Sequence, residues 1–298
     1  MTRQDSRPAG GPARPMDLDV FALPGHLRLE AAFGLLRGAP VCIVLDVVRA
    51  TSAIVLLFER GAVQVHVGRD LAAGRRLAAA APGRYLDCGE DDFGRQAPGF
   101  CWPTSPTALA TAPVAGREVV FCTANGTGCI HAAVAAGARA VLLGGFRNAA
   151  AVARRAAELA LAGDAPVVLV GSGRFGNRTP ALEDLYCAGY LARLVREHLA
   201  AARGELVLSD SVRVAEALYR AYPSRLAAFY DSGSGQGLLR AGAPPRDLEL
   251  CAELDTSGVV PEVVLDGGRP PHPVRLIPEA EPPGDPAARP AQAAGEAQ

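Results

Sequence analysis

Val41-Cys42-Ile43-Val44-Leu45-Asp46-Val47-Val48-Arg49-Ala50-Thr51-Ser52 is the stretch on which the reading of the fold turns. The run from Val41 to Leu45 is apolar without alternation, the habit of a parallel strand covered by helices on both faces. It stops at Asp46, and a helical stretch follows at about 51 to 60, with Gly61 where a C-cap glycine belongs. The unit recurs. Strands are predicted at Val63 to Val67, Arg84 to Cys88, Glu118 to Cys122, Ala140 to Leu143 and Val167 to Val170. Helices are predicted at 70 to 80, 127 to 136, 148 to 162 and 181 to 202. Strand and helix alternating through short connections imply an α/β fold: a three-layer α/β/α domain with a mostly parallel, doubly wound sheet. After residue 203 the pattern turns mainly helical, with Ser211 to Tyr222, Asp247 to Leu254 and a late strand near Val259 to Leu265, read as a helical C-terminal addition. Residues 16–268 are therefore expected to form the domain. Residues 1–15, rich in Pro, Gly and Arg, and residues 269–298, with eight of the chain's 24 prolines from Pro270 to Pro290, are expected to be disordered tails.

Composition removes whole classes of chemistry. All 30 basic residues among the 298 are arginines. Without lysine there is no Schiff base and no G-x-x-x-x-G-K-[ST] phosphate loop. The net charge of -1 supplies no global field for nucleic acid or an anionic membrane. Apolar stretches are shorter than the roughly 18 to 20 residues that span a bilayer, so a cytoplasmic protein without membrane or nucleic-acid partners is expected. Seven cysteines, an odd number without C-x-x-C, read as reduced thiols, and the five histidines are isolated, without zinc-ligand spacing.

In open α/β sheets ligands bind beyond the carboxyl ends of the strands. The unusual polar residues fall there: Asp46, Arg49, Thr51 and Ser52 after the first strand of the pattern, Glu90, Asp91 and Asp92 after the third, Thr123 to Thr127 after the fourth, Arg147 and Asn148 after the fifth, and Gly171 to Pro180 with Glu183 and Asp184 after the sixth. Carboxylates, arginines and helix N-termini on one rim suit an anionic substrate with a hard cation, the requirements of phosphoryl transfer. Each residue taken alone also fits a helix cap, a turn or a solvated surface.

Three local signals compete. Gly171-Ser172-Gly173-Arg174-Phe175-Gly176 is a literal G-x-G-x-x-G after a strand and would suit a nucleotide-binding oxidoreductase, but Asn177 to Pro180 interrupts the helix that should open within the glycines. Cys187 and Arg193 match a bare C-x5-R spacing inside a predicted helix, where no anion cradle can form. An aspartyl-phosphate D-x-D pair fails because Val48 stands two residues after Asp46.

The run Asp46-Val47-Val48-Arg49-Ala50-Thr51-Ser52 resembles the D-V-[LI]-R-A-[ST]-[ST] signature of the 2-phosphosulfolactate phosphatase family. Gly89-Glu90 with Gly99-Phe100 and Ser105-Pro106, Thr123 to Thr127, Gly145 to Ala149, and Leu182-Glu183-Asp184 with Cys187-Ala188-Gly189 resemble its further blocks in the same order, across roughly residues 40 to 262. The likeness departs in one loop: Asp91, Cys101 and Pro103-Thr104 stand where the family carries Arg, Asp and Gly-Asn. The resemblance implies a Mg²⁺-dependent phosphatase of coenzyme M biosynthesis and sulfonate metabolism that hydrolyses the phosphate monoester of a small anionic acid. The residues expected to act are Asp46, Arg49, Glu90, Asn125 and Thr127 in catalysis, Thr51, Ser52, Arg147 and Asn148 in substrate binding, and Asp46, Glu183 and Asp184 as Mg²⁺ ligands. A homo-oligomer is compatible with this reading, and a non-catalytic member of the family is the alternative within it.

Overall fold

The computed structural model describes residues 16–27 and 38–278. In chain order its elements are β1 (Leu18–Phe21), β2 (Val41–Leu45), α1 (Ala50–Glu59), β3 (Gln64–Val67), α2 (Leu71–Ala80), β4 (Tyr85–Gly89), α3 (Pro106–Leu109), β5 (Glu118–Cys122), α4 (Gly126–Ala135), β6 (Ala140–Gly144), α5 (Ala149–Ala162) and β7 (Val167–Gly171). There follow α6 (Leu182–Arg203), α7 (Asp210–Ala221), α8 (Arg225–Asp231), α9 (Gly233–Arg240), α10 (Pro245–Ala252), β8 (Glu262–Val263) and β9 (Pro273–Leu276).

The strands form one nine-stranded sheet in the order β1-β7-β2-β6-β8-β9-β3-β5-β4, parallel throughout except where β8 runs against β6. The apolar runs explain its layers. Val41, Ile43 and Leu45 of β2 point to one face, where α5 and α6 cover them with Val152, Ala156, Leu191 and Val195. Cys42 and Val44 point to the other face, against Ile54 and Leu57 of α1 and Ile130 of α4. A smaller cluster beneath α2 covers the outer face of β5 at Val120 and Cys122. The α/β/α expectation is met.

The sheet curls around α1 and α4, and this curl makes the site. β2 and β4 are six places apart in the sheet, about 29 Å if it were flat. Yet Arg49, just past β2, donates through Nε to Glu90, just past β4, at 3.0 Å.

One boundary is corrected. Residues from 269 onward were expected to be a tail, but Pro273–Leu276 is β9, placed inside the sheet between β8 and β3 with Val274 opposite Val65 and Val263. Pro273 is tolerated because it is the first residue of the strand. Ile277 extends the pairing, its N–H donating to the Val67 carbonyl at 3.0 Å. β8 shrinks to Glu262–Val263, and β1, α8 and α9 join the expected elements. The proposed tail at 1–15 and residues 279–298 lie outside the described residues. Among the described residues no helix is long and apolar enough to cross a membrane.

Candidate active site

Asp46 leaves β2 directly into the start of α1. Its Oδ1 accepts the Ala50 N–H at 3.2 Å, so the carboxylate caps that helix. Its Oδ2 faces the start of α4, where a Cβ on Gly126 would lie 2.6 Å away; only glycine permits this approach. The group has no ion pair among the described residues. Burial, then the Glu90 carboxylate, push Asp46 up to about 7; the Ala50 N–H works against this, and Glu183 adds to it.

Asp184 lies beside Asp46 on the first turn of α6. Its Oδ1 accepts the Val47 N–H at 3.0 Å, and its Oδ2 accepts the Ser172 and Gly173 N–H groups at 3.1 and 3.2 Å and the Ser172 hydroxyl at 3.1 Å. Both oxygens are thus spent on tying the turns after β2 and β7 together. Glu183 differs: it is 2 % exposed, yet its Oε2 has no hydrogen-bond partner among the described residues. Its acidity is weakened by burial, against which Ser234, Ser232 and Arg174 act.

Arg49 is buried and fully committed. Its guanidinium donates to Glu90 Oε2, to Asp247 Oδ2 and, at 2.6 Å, to the Gly94 carbonyl. Glu90 Oε2 also receives the Thr104 hydroxyl. Asp247 anchors the group: its Oδ1 takes the Ser105 hydroxyl at 2.6 Å and the Thr107 N–H at 2.9 Å.

Over these residues opens a cleft of about 480 Å³, lined among others by Val48, Glu90, Asn125, Arg174, Ser234 and Leu238. Asp46 and Glu183 are not in the lining; they sit behind it, at 8 % and 2 % exposure. Asn125 is held from the far side, its Oδ1 accepting the Gly176 N–H at 2.9 Å.

Five further residues expected at the site bond within the fold, with Arg147 Nε alone among their buried side-chain polar atoms left unpartnered among the described residues, and none lines the cleft. The Thr51 hydroxyl exchanges hydrogen bonds with the Asp46 backbone, and Ser52 donates to the Val47 carbonyl at 2.8 Å. Thr127 accepts from the Thr123 N–H and donates to the Thr123 carbonyl, closing the turn before α4. Arg147 pairs with Glu59 and Glu253 and donates to the Leu250 carbonyl. Asn148 accepts from Gly145 and donates to the Leu143 and Val259 carbonyls. These are helix-start and turn duties, which polar residues after a strand discharge as readily as ligand binding.

The cleft also holds residues that sequence reasoning did not place there: Arg95, Ser234, Leu238 and Arg240, with Phe93 and Phe175 at its edge. The G-x-G-x-x-G run does not open a helix. Gly173 and Gly176 take φ of +69° and +66°, and α6 begins only at Leu182. The loop instead carries Arg174 and Phe175 to the cleft. Cys122 and Cys129 flank the turn before α4, and burial pushes the former up to about 11 and the latter well above its ordinary value, which leaves no thiolate there near neutral pH.

The sequence profile of the 2-phosphosulpholactate phosphatase family matches residues 34–265. The chain belongs to this family. A probable 2-phosphosulfolactate phosphatase of Deinococcus radiodurans is 37 % identical over 224 residues, covering 75 % of this chain and 88 % of that protein. One of Thermus thermophilus is 37 % identical over 237 residues, covering 79 % and 93 %. One of Gloeobacter violaceus is 34 % identical over 237 residues, covering 78 % and 92 %. The family is named for a phosphoric monoester hydrolase, and every block of the resemblance lies within the matched residues.

The donor set bears on a cation. Among the described residues no group of three or more His, Cys, Asp or Glu side chains is spaced to enclose a metal. Mg²⁺ does not need one: it keeps several waters and takes one or two carboxylates plus substrate phosphate. Asp46, without an ion pair, and Glu183, with a buried orphaned oxygen, fit that requirement; Asp184, with both oxygens engaged by N–H and O–H donors, does not.

Proposed function

We propose that this chain hydrolyses 2-phosphosulfolactate to sulfolactate and phosphate with Mg²⁺ as its cofactor. The observation that carries the reading is the accumulation of carboxylates behind the cleft. Burial first, then Glu90 and less strongly Glu183, weakens the acidity of Asp46 to about 7, and of the three carboxylates only Glu90 forms an ion pair with an arginine among the described residues. Negative charge of this kind, at the floor of a cleft meant for an anion, calls for a divalent cation between the two.

Asp46 and Glu183 would hold the cation, which neutralises charge on the phosphoryl group. Asn125 would present the Nδ2 of its carboxamide to the phosphate oxygens, and the start of α4 would favour them through the helix dipole, the Thr127 N–H there being given to Thr123 Oγ1. Glu90 faces the cleft with Oε1 free while Arg49 and Thr104 fix its Oε2, so it is oriented to take the proton from an attacking water. Arg49 positions this base rather than contacting substrate. Supporting the substrate assignment are the family match and the names of the relatives.

The test is phosphate release from synthetic 2-phosphosulfolactate, measured in chelator and after Mg²⁺ addition. Release only with Mg²⁺ supports the reading; full activity in chelator removes the cation, and no release under either condition removes the substrate.

A further inference from the structure

Buried arginines in this chain, such as Arg49 and Arg147, spend their guanidinium groups on two carboxylates each, whereas those at the cleft keep donors open. Arg174 makes no ion pair or side-chain hydrogen bond among the described residues, although it lines the cleft. Among the described residues the Arg95 side chain spends only Nε, on Asp91 Oδ2 at 3.2 Å, and both terminal nitrogens are without a partner. Each arginine is stacked on a phenylalanine of its own loop: Arg95 over Phe93 at 4.9 Å and Arg174 over Phe175 at 4.7 Å. Those phenylalanines are 68 % and 60 % exposed, an arrangement that costs apolar hydration without contributing to any core.

Both loops are built to hold this presentation. Asp91 Oδ1 accepts the Phe93 and Arg95 N–H groups, each at 2.9 Å, and the Gly94 carbonyl is held by Arg49, so the 91–95 turn is fixed to the catalytic floor. On the other loop Arg174 lies against α9, where a Cβ on Gly233 would fall 1.9 Å from its Nη1 and the guanidinium would have to move aside. Two cations with open donors exceed what a phosphate already served by a cation and by α4 requires.

We infer that Arg95 and Arg174 form a two-jawed clamp, each braced on its phenylalanine, that binds anionic groups of the substrate other than the phosphate and so determines specificity. The inference rests on the phosphatase reading for the identity of the substrate, not for the clamp itself. The jaws approach from two loops, so they suit an acid with separate anionic groups, and the apolar surface of Phe93, Phe175 and Leu238 faces the carbon skeleton between them. Arg95 and Arg174 are specificity-determining residues, and Asp91 is a positioning residue for the first.

The test uses Arg95→Gln and Arg174→Gln in the full chain, with folding checked by thermal melting. Two measurements are made: kinetics on 2-phosphosulfolactate and on ethyl phosphate, which carries phosphate alone, and calorimetric titration with sulfolactate, which needs no catalysis. Each variant is expected to raise KM for 2-phosphosulfolactate about 10- to 100-fold, to change ethyl phosphate hydrolysis by a much smaller factor, and to weaken sulfolactate binding by about the same factor as KM rises. Equal losses on ethyl phosphate, or unchanged KM and unchanged sulfolactate binding, overturn the clamp while the phosphatase reading stands. Arginine-dependent sulfolactate binding in a wild-type protein that releases no phosphate keeps the clamp and removes the phosphatase reading. No arginine-dependent binding and no turnover remove both.

Discussion

Asp247, on α10, receives the Arg49 guanidinium across 198 residues, and the same carboxylate holds Ser105 and Thr107 at the start of α3. The helical C-terminal addition is thereby fastened both to the turn after β2 and to the start of α3. Both members of the pair are almost wholly buried, at 3 % and 1 % exposure, where removing one charge leaves the other uncompensated.

Asp247→Asn keeps the volume and removes the charge. The expected cost is about 3–5 kcal/mol, a fall in Tm of about 6–20 °C by thermal unfolding. Turnover falls as well, because Arg49 then pulls Glu90 out of register. A Tm within 2 °C of wild type, taken as roughly one kcal/mol or less, would show the pair to be dispensable.

Glu183→Gln separates function from folding. Its orphaned Oε2 and its carboxylate neighbours make the charge a burden on the folded state. The variant is expected to melt at or above the wild-type temperature in chelator, while phosphate release drops by about 100-fold or more, as for removal of a directly participating group. Asp46→Asn should behave alike. Equal activity in either variant would take that residue out of the reaction.

Stability should depend on pH with a definite sign. Asp46 is raised from 3.8 to about 7, so between those values the folded protein keeps a proton that the unfolded chain has released. Raising the pH through this window therefore destabilises the folded state, by up to about 1.4 kcal/mol per pH unit for one such group. Melting in EDTA should show Tm falling from pH 5 to pH 7. Added Mg²⁺ should raise Tm more at pH 7 than at pH 5, because it binds the ionised form. A Mg²⁺ effect that is independent of pH contradicts this linkage.

Gly126→Ala tests the closeness of α4 to Asp46. Helix propensity alone favours alanine by about 1 kcal/mol. The added Cβ would meet Asp46 Oδ2 at 2.6 Å and Ala50 Cβ at 2.7 Å, so the helix start must shift. Turnover is expected to fall at least 10-fold, taken as a loss of roughly 1.4 kcal/mol in the barrier, without loss of the fold by circular dichroism. Wild-type kinetics would mean that the start of α4 does not govern the carboxylate.

The buried strands were legible in the sequence because the signal is local. Val41–Leu45 and Val167–Gly171 are apolar throughout, and only a position inside the sheet, covered on both faces, satisfies them. The order of blocks likewise disclosed the family, and the strand ends disclosed the rim on which Asp46, Glu90 and Asn125 sit. Tertiary structure alone decided the rest. Pro273–Leu276 has the composition of a tail and becomes a central strand because β8 and β3 leave its place open, and backbone pairing of that kind asks little of side-chain type. Thr51, Thr127 and Asn148 spend their side chains on nearby backbone groups and stand outside the cleft lining, since a hydroxyl or carboxamide beside a helix start takes the nearest backbone partner. Arg147 and Arg174 look alike in the sequence, each in a glycine-bearing loop after a strand. The first is neutralised by Glu59 and Glu253 and the second is left open over the cleft, a difference set by which distant acids the curl of the sheet brings within reach.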